Sequence, residues 1–177
     1  MPKNTIIFID SGDTLIDEST QIYDERGVVT DAEFFPEAKE TLLRLCREGF
    51  RIALVADGKS ESFHRVYERH GLDGCFETWT ISEQVGKEKP AAEMFSDAMK
   101  KMRLTDDDKS RVVMIGNNLK KDVAGANRFG ITSIWLDISP RYFHTFENED
   151  MVPRHTVRQY GELLSLIHRL EERQNLL

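Results

Sequence analysis

The acidic and amide side chains that could do chemistry in this sequence follow three short apolar runs. Each run is rich in β-branched or aromatic residues and stops at small or polar ones, which is typical of a strand buried on both faces. Open α/β sheets bind ligands at the carboxyl ends of such strands. The residues that follow the runs are Asp10 to Thr14, Ala56 to Gly58, and Gly116 to Asn118, with Asp122 one helical turn further on.

A lysine adds a positive charge to this set of carboxylates. Lys89 lies in the segment Gly86–Pro90, immediately before a predicted helix. Carboxylate oxygens suit a divalent cation such as Mg²⁺, while a lysine and the N–H groups at helix N-termini suit an anion. The combination predicts a site for a phosphate ester beside Mg²⁺, where Asp10 could accept the phosphoryl group as an aspartyl phosphate.

Each of these residues also has a plainer interpretation when it is taken alone. Asp10 could cap the turn after its strand, Asp122 could be a first-turn acid stabilised by the helix dipole, and Lys89 could be solvated. For Asp57, capping the helix predicted from Ser60 is an equally good interpretation. The three strand ends converge on one site only if the strands are neighbours.

Strands and helices alternate along the chain at the spacing of βαβ units. This alternation predicts an α/β fold of three layers (α/β/α), in which helices cover both faces of a five-stranded parallel Rossmann-like sheet. The predicted strands are Ile6–Ile9, Arg51–Ala56, Phe76–Ile81, Arg111–Ile115 and Ile131–Leu136. The predicted helices begin near Pro36, Ser60, Pro90, Leu119 and Tyr160. We expect a single domain over residues 1–177.

Two segments of this predicted domain have weak periodicity or none. The polar stretch from Ile16 to Glu33 holds two strand candidates, Gln21–Tyr23 and Val28–Thr30, around a turn. It predicts a small flap hairpin after the first strand, at about residues 16–33. Residues 137–157 predict an irregular excursion near the carboxyl edge of the sheet.

Composition argues against several classes of function. The chain has 177 residues and a net charge of −7, and its basic residues form no cluster, so a nucleic-acid surface is not expected. The apolar stretches are too short for a membrane span or a signal peptide, so we expect no membrane contact. The two cysteines, Cys46 and Cys75, have no metal-like spacing. Reduced thiols without an export signal favour the cytoplasm.

The order of these pieces resembles the haloacid dehalogenase-like (HAD) hydrolase superfamily, from about Ile6 to Leu136. Four motifs in register with the predicted strands carry the resemblance: IDSGDTL with Asp10 and Thr14, LVADG, VGKEKP with Lys89, and MIGNNLKKDVAGA with Asp122. The resemblance implies that Asp10 is the nucleophile and a Mg²⁺ ligand, and that Lys89 steadies the nucleophile and the phosphate. It also implies metal contacts from the Gly12 carbonyl, Asn117 and Asp122. Asp57, a further carboxylate at the mouth of the site, and the backbone N–H of Gly58, as a donor to phosphate, are our candidates for substrate contact.

Three positions depart from the pattern of phosphatases in that family. Gly12 stands where a second Asp would act as general acid and base, a contribution of roughly 10²–10⁴-fold. Ala56 replaces a hydroxyl whose hydrogen bond to a charged phosphate would be worth about 1.5–3 kcal/mol. Asn117 replaces a carboxylate near the metal, so the affinity for Mg²⁺ should fall. Asp13 is adjacent to Gly12, but the chain leaving the strand points it elsewhere, so we do not expect it to substitute.

The resemblance also bears on what covers the site. Family members with a helical cap domain insert far more chain between the first two motifs, so this sequence is similar to a capless member that has only the flap. Capless members tend to act on large substrates or to borrow a cover from a neighbouring subunit, which makes a homo-oligomer possible. The mostly acidic flap does not favour a polyanionic substrate.

The residues support three functional hypotheses. The first is a Mg²⁺-dependent phosphatase that acts on a phosphate monoester, either a phosphorylated small molecule or a phosphoprotein, through an aspartyl phosphate on Asp10. The second, based on the three altered positions, is a weakly active or inactive member that binds a phosphorylated ligand or protein partner. The third is metal-independent dehalogenation, because dehalogenases of the superfamily also lack the second acid. Those enzymes, however, use a cap to bury a small apolar substrate.

Overall fold

The strands of the protein form two sheets, a large parallel one and a small hairpin. The fold is that of a computed structural model, which describes residues 3–142 and 144–176. In chain order the strands are β1 Ile6–Ile9, β2 Ile22–Tyr23, β3 Val29–Asp31, β4 Arg51–Ala56, β5 Thr78–Ile81, β6 Val112–Gly116, β7 Thr132–Leu136 and β8 His155–Val157. The large sheet has the order β5-β4-β1-β6-β7-β8 with every pair parallel, and β2 pairs with β3 in the hairpin.

Helices pack on both faces of the large sheet. They are α1 Ala38–Arg47, α2 Ser60–Arg69, α3 Ser82–Val85, α4 Ala92–Lys101, α5 Ala124–Phe129 and α6 Tyr160–Gln174. Side chains alternate along β1, so Ile7 and Ile9 join the core beneath α1, α2 and α6, whereas Ile6 and Phe8 join the core beneath α4 and α5. The predicted three-layer α/β/α architecture is confirmed.

The central strand, β1, is apolar throughout because it is covered on both faces and paired at both edges. It pairs with β4 on one side and with β6 on the other. All four of its side chains are at most 2% exposed. Burying each such side chain stabilises the fold by about 1.5–3 kcal/mol. This strand therefore holds the residue after it, Asp10, at a rigid point on the carboxyl edge of the sheet.

The prediction of five strands is wrong by one edge strand. β8 pairs in parallel with β7, aligning Ile134 with His155 and Leu136 with Val157. It lies at the end of residues 137–157, which the sequence predicts to be irregular. β8 has only three residues, of which only Val157 is buried, so its pattern is too short to distinguish a strand from a loop.

Element boundaries elsewhere differ from the predicted ones by a few residues. The helices predicted from Pro36 and Pro90 begin at Ala38 and Ala92. The segment predicted as one helix from Leu119 begins with a π-helical turn before α5. Both α3 and a short 3₁₀ turn at Glu18–Thr20 are absent from the prediction, since each has too few residues to show a helical period.

The flap hairpin is present and packs against α2. The N–H of Val29 in β3 donates to Ser62 Oγ at 3.0 Å, and Lys59 Nζ donates to the carbonyl of Arg26 at 2.9 Å. Ile22 and Tyr23, which form β2, are more than half exposed. The hairpin therefore lies over the carboxyl edge of the sheet, with its turn and β3 anchored at α2 while β2 is largely exposed.

The predictions about membranes and domains have different outcomes. Among residues 3–142 and 144–176, no helix is both long enough and apolar enough to cross a bilayer. The single domain over residues 1–177 stays a prediction.

A buried carboxylate ties the start of β1 to the C-terminal helix. Glu171 of α6 is 6% exposed and accepts hydrogen bonds from the backbone N–H of Thr5 at 2.8 Å and of Asn4 at 3.1 Å. Burial alone would raise the pKa of Glu171, but these hydrogen bonds outweigh it and lower the pKa below its ordinary value of 4.5. The folded state thus favours the ionised form.

We expect Glu171→Gln to reduce the free energy of unfolding at pH 7 by about 1.5–3 kcal/mol, because an amide replaces a charged acceptor. Since the pKa of Glu171 is lowered on folding, its contribution is present above about pH 4.5 and is lost as the pH falls through the folded value. Urea unfolding of both proteins at several pH values measures this. A stability difference that stays constant down to acid pH would contradict it.

Candidate active site

The strand ends predicted to carry chemistry meet at one edge of the sheet. Because β4, β1 and β6 are adjacent, the residues after their carboxyl ends face a common cavity of about 340 Å³. The cavity is lined by all seven residues that the sequence assigns to the site: Asp10, Gly12, Asp57, Gly58, Lys89, Asn117 and Asp122. The condition that the strands be neighbours is met.

A buried lysine joins two carboxylates in the floor of the cavity. Lys89 is 3% exposed, and its Nζ lies 2.7 Å from Asp10 Oδ1 and 2.7 Å from Asp122 Oδ1. The same Nζ donates to the carbonyl of Val55 at 2.8 Å. The three donor positions of the ammonium group are therefore all used, so Lys89 is not a solvated surface lysine.

The charges of this cluster shift its proton affinities. Burial by itself would lower the pKa of Lys89, but the carboxylates of Asp10 and Asp122 raise it above its usual range, so the ammonium stays charged. Burial and the neighbouring charge of Asp10 raise the pKa of Asp122, although Lys89 opposes the rise. Two carboxylates and one ammonium leave the cluster with a net negative charge when all three are ionised.

A threonine fixes the second oxygen of Asp10. Thr14 Oγ1 lies 3.0 Å from Asp10 Oδ2 and 3.2 Å from Asn117 Oδ1, so its hydroxyl can donate to either oxygen. Thr14 Oγ1 in turn accepts from the backbone N–H of Asn117 at 3.1 Å. The side chain of Asp10 is thus held by Lys89 at one oxygen and by Thr14 at the other.

Asp122 projects from the π-helical turn Leu119–Val123 towards β6. Its Oδ2 accepts from the backbone N–H of Asn118 at 3.0 Å. A Cβ placed on Gly116 would lie 2.2 Å from that oxygen, so only glycine leaves room for the carboxylate here. Asp122 is therefore a floor residue of the cavity, and its interpretation as a helix first-turn acid does not account for these contacts.

The capping interpretation of Asp57 is wrong. The helix N-cap is Lys59, which makes no side-chain capping bond, and the N–H of Ser60 donates instead to Glu83 Oε2. Asp57 accepts from the backbone N–H of Lys89 at 3.0 Å and from Lys121 Nζ at 3.0 Å. It anchors the loop that delivers Lys89, a contact between distant parts of the chain that the sequence does not reveal.

Gly58 lines the cavity, but its N–H is already in use. It donates to Ser82 Oγ at 2.9 Å, at the start of α3. The sequence predicts this N–H as a phosphate donor, so a phosphate bound there would have to compete with Ser82. Substrate contact at Gly58 and at Asp57 stays a prediction.

A glutamate that the sequence did not single out lines the cavity beside Gly12. Glu18 is half-buried, and Tyr142 Oη donates to its Oε2 at 3.2 Å. Burial raises the pKa of Glu18, and the charges of Asp13 and Asp10 raise it further. One sequence feature could have pointed to Glu18. The run from Asp17 to Thr20 is rich in turn-forming residues and places this acid shortly after the nucleophile loop.

Asp13 takes no part in the cavity wall. It is fully buried with φ of 52°, and its Oδ1 accepts from the N–H of Glu18 and from Arg141 Nη2. Asp13 therefore links Glu18, at the base of the flap, to Arg141 in the segment after β7.

The site offers few acidic metal ligands. Across the part of the chain that the structure describes, no three His, Cys, Asp or Glu side chains form a group that could hold a metal ion. Asp10 and Asp122 are the two carboxylates in metal-motif positions, and the remaining candidate donors are the amide of Asn117 and the carbonyl of Gly12.

The order of motifs and the position of each on the sheet match a known family. A family model described as a haloacid dehalogenase-like hydrolase matches residues 5–130 of the chain. The chain belongs to the haloacid dehalogenase-like hydrolases. The family resemblance predicted from the sequence is confirmed.

Curated relatives in this family include phosphatases. The chain is 29% identical over 142 residues to a glyceraldehyde 3-phosphate phosphatase of Methanopyrus kandleri, covering 77% of this chain and 57% of that protein. It is 33% identical over 137 residues to a ribulose-1,5-bisphosphate 5-phosphatase of Halopiger xanaduensis, covering 75% and 56%. The chain spans little more than half the length of these two relatives.

The fold has solved counterparts. The structure of an uncharacterised protein from Listeria monocytogenes serotype 4b has a TM-score of 0.77 to this one, covers 95% of this chain and 99% of that chain, and is 24% identical. At that identity the likeness shows the fold alone. The chain thus shares its fold with that protein over nearly its whole length.

We expect Gly116→Ala to lower the free energy of unfolding by about 1–3 kcal/mol, because its methyl group would overlap the carboxylate of Asp122. Gly161→Ala is the matched control, since a Cβ there meets nothing within 4 Å. Chemical denaturation of both variants makes the comparison. A Gly116→Ala protein as stable as the control would mean that Asp122 does not need its present position.

Proposed function

We propose that this protein is a Mg²⁺-dependent phosphatase that hydrolyses phosphate monoesters through an aspartyl phosphate on Asp10. The observation that carries the proposal is the buried Lys89 ammonium bridging Asp10 and Asp122 at the carboxyl edge of the sheet. Membership of the hydrolase family and the phosphatase activity named for two relatives support it.

Asp10 supplies the nucleophile in this mechanism. One of its carboxylate oxygens forms a bond to phosphorus while the bond from phosphorus to the ester oxygen breaks. The oxygen of a water molecule then forms a bond to phosphorus while the bond to Asp10 breaks, which releases inorganic phosphate and restores the carboxylate. Lys89 and Thr14 hold Asp10 in one orientation through both steps, so no rotamer search precedes the attack.

The residues of the floor fit Mg²⁺, which prefers oxygen ligands and is commonly bound by one or two carboxylates with substrate phosphate and water. Asp10 and Asp122 would hold the ion, with the carbonyl oxygens of Asn117 and Gly12. The net negative charge of the Lys89 cluster would repel a phosphate dianion, and Mg²⁺ supplies the positive charge that reverses this repulsion. With Asn117 in place of a carboxylate, we expect weak binding of the free ion.

The cavity favours a phosphorylated small molecule as substrate. Its volume of about 340 Å³ is near the lower end for small-molecule sites. The flap and α2 give the cavity the apolar side chains of Ile16, Tyr23, Val29, Phe63 and Val66, together with the polar ones of Gln21, Lys59 and Ser62. Phosphoprotein substrates, a homo-oligomer and a cytoplasmic location stay predictions.

A binding-only role is the second candidate function. It is favoured by Ala56, which is 1% exposed and offers no hydroxyl where the family resemblance implies a phosphate contact. Such a protein would take up a phosphoryl mimic such as beryllium fluoride on Asp10 with Mg²⁺ but would turn over no ester. Halide release without Mg²⁺ would instead revive the dehalogenase hypothesis.

We expect wild-type protein with Mg²⁺ to hydrolyse members of a panel of phosphomonoesters. Asp10→Asn should reduce turnover by at least about 10³-fold, because the amide is not a nucleophile. Chelation by EDTA should abolish turnover, and added Mg²⁺ should restore it. Phosphate release is the measurement.

Asp107→Asn is the matched control for this experiment. It makes the same chemical change on an exposed turn that does not line the cavity, so it should retain wild-type turnover. If wild type releases no more phosphate than Asp10→Asn, the phosphatase proposal is wrong.

A further inference from the structure

The space beside Gly12 is filled by a carboxylate from another part of the chain. A Cβ built on Gly12 would lie 1.9 Å from Glu18 Oε1 and 2.7 Å from Glu18 Cδ. The carboxylate of Glu18 therefore occupies the volume into which any side chain at position 12 would project. An acid is missing from that position in the sequence, but a carboxylate is present there in space.

Local hydrogen bonds hold Glu18 in this place. It begins the 3₁₀ turn Glu18–Thr20, which Asp17 caps by accepting from the N–H of Ser19 at 2.9 Å. The N–H of Glu18 donates to Asp13 Oδ1 at 3.1 Å. The turn is thus fastened directly to the loop that carries Asp10 and Gly12.

The segment after β7 completes the support from the far end of the chain. Arg141 Nη2 lies 2.9 Å from Asp13 Oδ1 and 2.7 Å from Asp17 Oδ1. One guanidinium group therefore binds both aspartates whose hydrogen bonds hold the Glu18–Thr20 turn in place. Tyr142 Oη donates to Glu18 Oε2. Oε1 is the Glu18 oxygen that lies nearest the position of a side chain on Gly12, and Glu18 is one of the residues that line the cavity.

The other carboxylates in the cavity wall are committed to cations. Asp10 and Asp122 both bind Lys89, and Asp57 binds Lys121. The second oxygen of each carboxylate is also in use: it accepts from the hydroxyl of Thr14 in Asp10, from the N–H of Asn118 in Asp122 and from the N–H of Lys89 in Asp57. Among the acids that line the described part of the cavity, Glu18 is the one that pairs with neither of these lysines, and its Oε2 accepts from the neutral hydroxyl of Tyr142.

We propose that Glu18 is the general acid and base of this site, in place of the side chain that Gly12 lacks. The proposal rests on the phosphatase activity proposed above. As Asp10 forms its bond to phosphorus and the ester bond breaks, Glu18 Oε1 gives its proton to the departing ester oxygen. As water then attacks phosphorus and the bond to Asp10 breaks, Glu18 takes a proton from that water and returns to its starting state.

The variants Glu18→Gln, Glu18→Ala and the double variant Gly12→Asp/Glu18→Ala test this role. Glu18→Gln keeps the shape but cannot transfer the proton. We expect its kcat on β-glycerophosphate to fall by roughly 10²–10⁴-fold. On p-nitrophenyl phosphate the fall should be smaller, because that leaving group departs without a proton.

Two further readouts separate proton transfer from a merely structural effect. In acid-quench experiments with ³²P-labelled p-nitrophenyl phosphate, Glu18→Ala should accumulate the phosphorylated protein, because water is no longer activated to release it. The double variant should recover at least tenfold of the turnover lost in Glu18→Ala, since the carboxylate introduced at position 12 then has the space that Glu18 vacates. Glu25→Gln, an exposed flap glutamate outside the cavity wall, is the matched control and should behave as wild type.

The outcomes distinguish this proposal from the one it rests on. If wild type is active and the turnover of Glu18→Gln is within twofold of it, the role of Glu18 is overturned while the phosphatase function stands. Equal losses on both substrates, without accumulation of phosphorylated protein and without recovery in the double variant, would assign Glu18 a structural role and also overturn the proposal. If the turnover of wild type is no higher than that of Asp10→Asn, both proposals are refuted together.

Discussion

The buried ammonium group of Lys89 is the interaction on which the site depends. Two carboxylates, Asp10 and Asp122, and the carbonyl of Val55 surround it, so three neighbouring strands of the sheet are joined at one charge. An isolated ammonium at this depth would cost several kcal/mol, and either carboxylate without it would be left buried and unpaired. The cluster is therefore stable only when β4, β1 and β6 are all in place, which couples assembly of the site to formation of the sheet.

Two glycines shape the site by what they leave out. Gly116 leaves room for the carboxylate of Asp122, and Gly12 leaves room for that of Glu18. In both cases an acid reaches the cavity from a short irregular turn, the π turn after β6 or the 3₁₀ turn after the nucleophile loop. The sheet thus supplies rigid positions, while the turns decide which functional groups fill the space between them.

Predictions from the sequence succeeded where the information was local. The runs before Asp10 and Asp57 and before Asn117 are strands because each is buried on both faces, and burial on both faces requires uninterrupted apolar residues. β8 was not predicted because three residues at a sheet edge show almost no hydrophobic pattern, and the pairing with β7 determines their conformation. The same limit explains Asp57, whose partners Lys89 and Lys121 are distant in the chain.

The sequence by itself determined the layered α/β fold, the position of Asp10 at a strand end, and the membership of Lys89 and Asp122 in one site. These depend on periodicity and on motif order, which a linear chain records directly. Only the tertiary structure decided what stands beside Gly12. Glu18, Tyr142 and Arg141 come from two segments far apart in sequence, and packing alone brings them to the nucleophile loop. The sequence shows directly that position 12 is glycine and carries no acid. That the carboxylate of Glu18 lies in the space beside it is visible only once the chain has folded.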